Sequence, residues 1–295
     1  MGNTSKVKRR TTKTFTHVKG ALDQFFFDTD KLQNDPIFGI GLESGFTSLN
    51  QLLVGKDTPY FSIISVPEKN WTTAFGSSLI AELSIQFNRS IGYFSLSVSS
   101  SYFMGVLLSI VADVDPHLMR SGRLPSERWP DLSTASKNLV ESEIYVDDAR
   151  PLTMKAFHKR AHKMMKKSKI DLFVIDSLQF ISCKKYHRNK ARNYQKICQS
   201  LKDISEELNV SILLLSEFSG EYNTDEIDAG NDCQSLPFLK DFGKVPDAEL
   251  VLISGKRNKG DRLFSLHLCR NREGPTGVVK LRQNLITSGF NNRNC

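Results

Sequence analysis

Long hydrophobic runs are absent from this 295-residue chain. No apolar stretch approaches the roughly 20 residues that a helix needs to cross a bilayer, which argues against an integral membrane protein. The opening residues, MGNTSKVKRRTTKT, lack the hydrophobic segment of a secretory signal, and Lys6 stands where a myristoylation motif requires Ser or Thr. The sequence therefore predicts a cytoplasmic protein with no membrane partner.

Closely spaced cysteines are also missing. The five cysteines lie far apart, at positions 183, 198, 233, 269 and 295. Without a close pair, the sequence contains neither a disulfide framework nor the pattern of a zinc site. We expect free, buried thiols.

Positive charge, by contrast, is in excess. The formal net charge is +8, from 40 Lys and Arg against 32 Asp and Glu. This excess favours an anionic partner, either nucleic acid or an acidic protein surface, and charge alone does not choose between them. Residues 1–16 combine Lys and Arg with Ser and Thr and can bury little, so they are predicted to form a flexible basic tail.

From residue 61 onward, apolar strands alternate with amphipathic helices. Strands are predicted at about 61–65, 91–96, 143–147, 170–176 and 211–216, and helices at about 72–87, 100–112, 126–140, 153–167 and 190–208. This alternation predicts an α/β fold, with a mostly parallel sheet covered by helices on both faces. Two later runs, AELVLIS and RLFSLHLC, have no helix between them and predict an antiparallel extension of the sheet.

The stretch SVPEKNWTT, residues 65–73, joins the first predicted strand to the first predicted helix. A strand, a tight loop and a helix that begins in Thr form the setting of a phosphate-binding loop, but the glycines and the lysine are missing. Asp176 ends the strand LFVID, and ligands bind at the carboxyl ends of parallel strands. Such an Asp can hold magnesium together with a hydroxyl like that of Thr72. Taken alone, Asp176 is equally suited to capping the next loop.

Further motifs occur in one order at suitable spacing: SGFTSLNQLL, GYFSLSVS, SGRLPSERW, IYVDD, LFVIDSLQF, LKDISEELNVSILLLSEFS, PFLKDFG and RNREGPTGVVKL. From about Ser44 to Phe290 they resemble the C-terminal motor domain of the DnaB-type replicative helicase family. The resemblance implies a RecA-like (P-loop NTPase) core over residues 43–295. It also implies a hexameric ring around single-stranded DNA, with ATP and Mg bound between subunits and hydrolysis driving unwinding.

The resemblance extends to the segment before the core. Residues 17–42 are similar to the linker helix and connector of the family, which dock on the neighbouring subunit of the ring. Phe25 and Phe26 would contact that neighbour, and packing on their own core is the alternative. No counterpart of the N-terminal primase-interacting domain of the family is expected in this sequence.

The matched phosphate loop departs from the family at the positions that contact nucleotide. Asn70, Trp71 and Thr72 stand where the family has Gly, Lys and Thr. Asn can preserve the loop shape at a cost of about 1 kcal/mol, but a lost lysine removes a charged hydrogen bond worth roughly 1.5–3 kcal/mol. The indole of Trp71 can also occupy the space of the phosphate. The alternative is a loop of different conformation, in which Lys69 reaches the phosphates.

Other nucleotide-facing positions differ as well. Ser97 replaces the glutamate that activates the attacking water, and a serine cannot act as that base near neutral pH. Glu217 replaces an amide that senses the γ-phosphate, and Gly220 replaces an arginine. The resemblance thus implies a degenerate ATP site, with Mg held by Thr72 and Asp176 if metal binding is retained. Its members are Lys69, Asn70, Trp71, Thr72, Thr73, Ser97 and Glu217.

Two other parts of the family pattern are retained. Arg270 and Arg272 match a basic pair that reaches the ATP of a neighbour and stabilises charge on the transferred phosphoryl group; two ordinary surface arginines are the alternative. The loop after Asp176 matches the first central-channel loop of the family. Its cations suit single-stranded DNA, although a solvated basic helix start is the alternative. They are Lys184, Lys185, Arg188, Lys190 and Arg192.

The second channel loop, GEYNTDEIDAGND, is acidic and would repel DNA. The favoured hypothesis is a DnaB-like protein of DNA replication that lacks its own ATP hydrolysis. It would bind single-stranded DNA and assemble with itself or with a DnaB-type helicase. Two alternatives stay open: a divergent but active ATP-dependent DNA helicase, and a DNA-binding regulator that needs no nucleotide.

Overall fold

The structure of the chain is a computed structural model. It describes residues 18–20, 22–23, 26, 46, 61–66, 69–182, 189–217, 242, 248, 250–254, 263–271, 275–284, 286–287 and 289–291. Several predicted features lie outside these residues: the tail at 1–16, Phe25, the acidic second loop, and Cys183, Cys233 and Cys295.

Nine strands within the described ranges form one sheet. They are β1 (Phe61–Val66), β2 (Ile91–Ser95), β3 (Ile144–Asp147), β4 (Leu172–Asp176), β5 (Ser211–Glu217), β6 (Leu250–Ser254), β7 (Leu263–Asn271), β8 (Gly277–Gln283) and β9 (Phe290–Asn291). Their order across the sheet is β3-β2-β4-β5-β1-β6-β7-β8-β9. The pairings from β3 to β6 are all parallel, which confirms the mostly parallel sheet and its five predicted early strands.

The late strands differ in part from the prediction. The sequence predicts that the run forming β6 is antiparallel, yet β6 pairs in parallel with β1. Antiparallel pairing begins only at β7 and continues through β8 and β9. A parallel neighbour requires a crossover of a dozen or more residues, and the chain between β5 and β6 is long enough to provide one.

The helices confirm the five predicted ones and add a short one. They are α1 (Lys69–Ala81), which continues as a π-helical turn (Glu82–Gln86), α2 (Ser100–Ala112), α3 (Pro116–Arg120), α4 (Trp129–Glu141), α5 (Met154–Met165) and α6 (Lys190–Leu208). Side chains cap the N-termini of α2, α5 and α6, where Ser99, Thr153 and Asn189 each accept a bond from a backbone N–H. Asp113 and Asn209 end α2 and α6 in the left-handed conformation.

Residues near the N-terminus are also helical, at 18–20, 22–23 and 26. Val18, Leu22 and Phe26 are largely exposed in this single chain. None of the helices that the structure describes is both long enough and apolar enough to span a bilayer.

Two hydrophobic clusters lie on opposite faces of the sheet. Ile64 and Val174 belong to one cluster, while their strand neighbours Ile63 and Phe173 belong to the other. Since successive side chains of a strand point to opposite faces, each cluster covers one face. The first is completed by α1 and α2, and the second by α5 and α6. Helices therefore cover both faces, as predicted.

Two cysteines fall within the described chain. Cys198 is a buried free thiol in the second cluster, as predicted, and burial raises its pKa. Cys269 is partly exposed, whereas the sequence predicts a buried thiol.

Replacement of Phe157 by Ala should show how much the α5 layer depends on its aromatic core. Phe157 is fully buried, and its ring centroid lies 4.8 Å from that of Phe94 and 5.9 Å from that of Phe173. We expect Phe157→Ala to lower the free energy of unfolding by about 3–5 kcal/mol in urea denaturation, because it opens a cavity. The control Val140→Ala, at an 85% exposed position on α4, should change it by less than about 0.5 kcal/mol. Equal effects of the two changes would contradict the described core.

Candidate functional site

Asp176 lies at the carboxyl end of β4, in the centre of the parallel part of the sheet. It is opposite Ser95 of β2 on one side and Leu215 of β5 on the other. Its side chain has no solvent exposure. Taking a carboxylate out of water is costly unless other groups bind it, so its hydrogen-bond partners determine what this site can do.

Three hydroxyl groups converge on one oxygen of this carboxylate. Tyr93 and Thr73 each donate to Asp176 Oδ2 at 2.7 Å, and the hydroxyl of Ser97 donates at 3.0 Å. The hydroxyl oxygens of Thr73 and Ser97 also lie 3.4 Å apart. Each hydroxyl carries only one proton, which it already donates to Asp176, so neither donates a hydrogen bond to the other. The other oxygen, Oδ1, is buried with no hydrogen-bond partner in the structure as described.

The local fold brings these donors together from separate elements. Thr73 lies in the first turns of α1, Tyr93 on β2, and Ser97 in the turn after β2. The backbone carbonyl of Asp176 accepts bonds from Leu96 N at 2.6 Å and Ser97 N at 3.0 Å, which hold that turn against the end of β4. The site is thus fixed by backbone as well as by side chains.

Tyr93 belongs to this site although the sequence does not predict it there. It is fully buried, and its ring stacks on Phe103 with centroids 4.0 Å apart. Burial raises the pKa of the Tyr93 phenol well above its ordinary value, and the charge of Asp176 and the hydrogen bond to it raise that pKa further. The phenol therefore stays a proton donor. One sequence signal was available, since Tyr93, Ser95 and Ser97 alternate and so share one side of β2 and its extension.

The structure describes the side chains of three phosphate-loop residues, Trp71, Thr72 and Thr73. The hydroxyl that contacts Asp176 is that of Thr73, one residue beyond Thr72, which is itself buried in α1. Trp71 is only 8% exposed and belongs to the hydrophobic cluster that also contains Tyr93. Helix α1 begins with Lys69 and Asn70, for which the structure describes the backbone but not the side chains.

Glu217 ends β5, beside the same edge of the sheet. Its carboxylate accepts a bond from the hydroxyl of Ser177 at 3.3 Å, and its backbone N–H donates to the side-chain oxygen of Gln179 at 3.2 Å. The residues that follow Asp176 therefore hold Glu217 in place. Its side chain lies near the carboxyl ends of β4 and β5.

The remaining predicted residues are distributed more widely. Arg270 is a partly exposed residue of β7, opposite Val251. Lys190 and Arg192 lie in the first turn of α6, where Lys190 Nζ stands 5.5 Å from the centre of the Tyr194 ring. Four others lie outside the described residues: Lys184, Lys185, Arg188 and Arg272.

The family resemblance implies ATP and magnesium as cofactors, and the described residues show which groups the site offers to them. The orphaned Oδ1 of Asp176 is an atom that a water or a cation would satisfy. The other oxygen is already engaged by three hydroxyls, and residue 97 offers a hydroxyl in place of a carboxylate base. Residue 71 offers a buried indole in place of a cation. The described residues therefore offer Asp176 Oδ1 to a cation, with a serine at residue 97 and a tryptophan at residue 71.

Comparisons with known proteins agree on the family. A family model, the DnaB-like helicase C terminal domain, matches residues 41–292. The chain is 26% identical to the replicative DNA helicase DnaB of Rickettsia typhi, over 95% of this chain and 62% of the relative. It is 24% identical to the replicative DNA helicase DnaC of Bacillus subtilis, over 93% of this chain and 61% of the relative. The chain thus spans about three-fifths of the length of these relatives.

Solved structures show the same fold. One of them, a solved ATPase domain, superposes with a TM-score of 0.79 at 20% identity, covering 94% of this chain and 99% of that one. A DnaB-like replicative helicase, solved in a study of its interactions with primase, gives 0.75 at 18% identity, covering 94% and 67%. Together with the strand order, these similarities confirm the predicted RecA-like fold.

Removal of the Tyr93 hydroxyl should destabilise the protein without any nucleotide present. Tyr93→Phe keeps the stacking on Phe103 but deletes one donor to a buried carboxylate. We expect the free energy of unfolding at neutral pH to fall by about 1.5–3 kcal/mol, as for hydrogen bonds to charged groups. Tyr102→Phe makes the same chemical change at a 43% exposed position and should alter it by less than about 0.5 kcal/mol. A similar small effect of both changes would contradict the hydrogen-bond network.

The stability difference between wild type and Tyr93→Phe should depend on pH. Because the pKa of Tyr93 is raised in the folded state, the unfolded chain releases the phenolic proton first, at a pH of about 10. The contribution of this residue is thus fully present below about pH 10 and is lost as pH rises towards the folded pKa, with a limiting slope of about 1.36 kcal/mol per pH unit. Urea unfolding of both proteins between about pH 9 and 11 measures this, and a constant difference would refute it.

Proposed function

Because the chain belongs to the DnaB-like helicase C-terminal domain family, we propose that it acts in DNA replication as a RecA-like subunit that does not hydrolyse ATP itself. In this proposal it binds single-stranded DNA and assembles with itself or with an active DnaB-type helicase. Both roles use surfaces outside the Asp176 site.

The observation that carries this proposal is the set of partners around Asp176. Three hydroxyls engage Oδ2, and one of them is Ser97, at the position of the glutamate in the family pattern. A general base contributes roughly 10²–10⁴-fold to such reactions, and an un-ionised serine provides none of it near neutral pH. The absence of a lysine at residue 71 removes charge stabilisation of the phosphates in addition.

A role in assembly draws support from Arg270. An arginine that acts on the ATP of a neighbour stabilises developing charge and needs no functional site in its own subunit. Arg270 lies on β7, within the antiparallel part of the sheet and away from the strands that carry Asp176 and its partners. A subunit that does not hydrolyse ATP itself can therefore still supply an arginine to the ATP of a neighbouring subunit.

A role in DNA binding draws support from the start of α6. Lys190 and Arg192 occupy its first turn, directly after the basic loop. Cations at the start of a helix are not stabilised by its dipole, whose positive end lies there. Contact with DNA phosphates would use these cations and would give binding that weakens steeply with salt.

The test is an ATPase measurement on the purified chain, alone and mixed with an active DnaB-type helicase. Alone, with magnesium and single-stranded DNA, we expect no hydrolysis above background and no further change in Asp176→Ala. In the mixture, the chain should change the ATPase rate of the helicase, and Arg270→Ala should abolish that change. Arg123→Ala, at an exposed arginine, should leave it intact.

Two outcomes contradict the proposal. Magnesium-dependent hydrolysis by the chain alone that disappears in Asp176→Ala would instead establish a divergent, active helicase. Binding to single-stranded DNA with neither co-assembly nor any change in the helicase rate would instead favour a DNA-binding regulator that needs no nucleotide.

A further inference from the structure

A cluster of three potential metal ligands lies on the helical layer that covers the second hydrophobic cluster. His158 and His162 are on α5, and Glu207 is near the end of α6. Their ligand atoms all lie within 4.8 Å of one another. The sequence gives no local signal of this cluster, because Glu207 is distant along the chain from the two histidines.

We propose that His158, His162 and Glu207 form a binding site for a divalent transition metal of the zinc type. Two imidazoles four residues apart on a helix point to the same side of it. Imidazole nitrogens favour Zn²⁺, Ni²⁺ and Cu²⁺, whereas Mg²⁺ prefers oxygen ligands. Three protein ligands at the surface leave a fourth position for water.

The distances are close to what tetrahedral binding requires. Metal–ligand bonds of about 2.0–2.1 Å place two ligand atoms of a tetrahedron about 3.3 Å apart. His158 Nε2 and Glu207 Oε1 are already 3.0 Å apart. The ring of His162 lies with its centroid 4.7 Å from that of His158, and because His162 is exposed, side-chain rotation can bring its nitrogen to the metal.

The backbone that carries the ligands is held by buried neighbours. Phe157 and Ala161, each adjacent to a histidine on α5, are fully buried, and Leu208 next to Glu207 is buried as well. These residues belong to the same hydrophobic cluster, which fixes α5 and α6 relative to each other. A bound metal would therefore connect two helices that are already in place, so binding requires little ordering of the chain.

Charged residues around the site both oppose and favour the binding of a cation. Lys155, Lys159 and Lys166 are within one helical turn of the histidines and oppose a cation, whereas Asp203, one turn before Glu207, and Glu206 favour it. These charges lie on the outer surface of the two helices, where water and salt screen such effects. The ligand geometry therefore decides affinity more than the surrounding charges do.

Metal binding can be separated from an ordinary hydrogen bond between His158 and Glu207. His162 takes no part in that bond, so His162→Ala should leave the melting temperature of the metal-free protein unchanged. The same variant should bind Zn²⁺ at least tenfold more weakly than wild type. His117→Ala, at an exposed histidine on α3, removes an imidazole elsewhere and should bind Zn²⁺ like wild type.

The experiment is calorimetric titration of the full, untagged and reduced chain with ZnCl₂ and, separately, MgCl₂, with reversal by a chelator. We expect one Zn²⁺ site that binds at least tenfold more weakly in His162→Ala and is also weakened in Glu207→Gln, and no Mg²⁺ binding there. Zn²⁺ affinity that is equal in wild type and His162→Ala would place the metal on other groups, such as the cysteines, and would overturn the proposal. Equal losses in His162→Ala and His117→Ala, or no Zn²⁺ binding at all, would overturn it as well.

Discussion

The buried carboxylate of Asp176 is the constraint on which the central part of the structure depends. It lies at the end of a strand with no exposure to water, so its negative charge must be balanced by donors from the protein. Those donors come from α1, from β2 and from the turn after β2. The three elements are consequently tied together at one point, at the edge of the sheet where related folds bind ligands.

The identity of residue 97 changes the electrostatics of this edge. A glutamate close to Asp176 would place two carboxylates together, and like charges in a buried site repel each other. Ser97 instead donates a hydrogen bond to Asp176. A serine at residue 97 therefore stabilises the buried carboxylate, whereas a second carboxylate there would destabilise it.

Much of the fold could be predicted because its signals are local. Apolar strands and capped amphipathic helices are visible within windows of about ten residues, and the five early strands and five long helices follow them closely. The direction of β6 could not be predicted in this way. It depends on the path of the chain between β5 and β6, whose sequence lacks a clear helical pattern and gives no local signal of a crossover.

The site was less predictable, for two physical reasons. The exact start of α1 decides which hydroxyl faces Asp176, and a shift of one residue turns a helical side chain by about 100°. The family resemblance implied Thr72 as a magnesium ligand beside Asp176, which stays a prediction, and the helix that begins at Lys69 directs Thr73 to the carboxylate. Tyr93 was missed because a tyrosine in an apolar strand resembles any core aromatic residue until the position of its hydroxyl is known.

Sheet geometry separates Asp176 from Arg270. Asp176 lies on β4 and Arg270 on β7, and three strands, β5, β1 and β6, separate them. At about 4.8 Å between neighbouring strands, the two backbones are roughly 19 Å apart. At that distance and an effective dielectric constant of about 20, two unit charges interact by less than about 1 kcal/mol. Substitutions around Asp176 therefore place little energetic demand on Arg270. The residues at these two positions can therefore vary independently of each other.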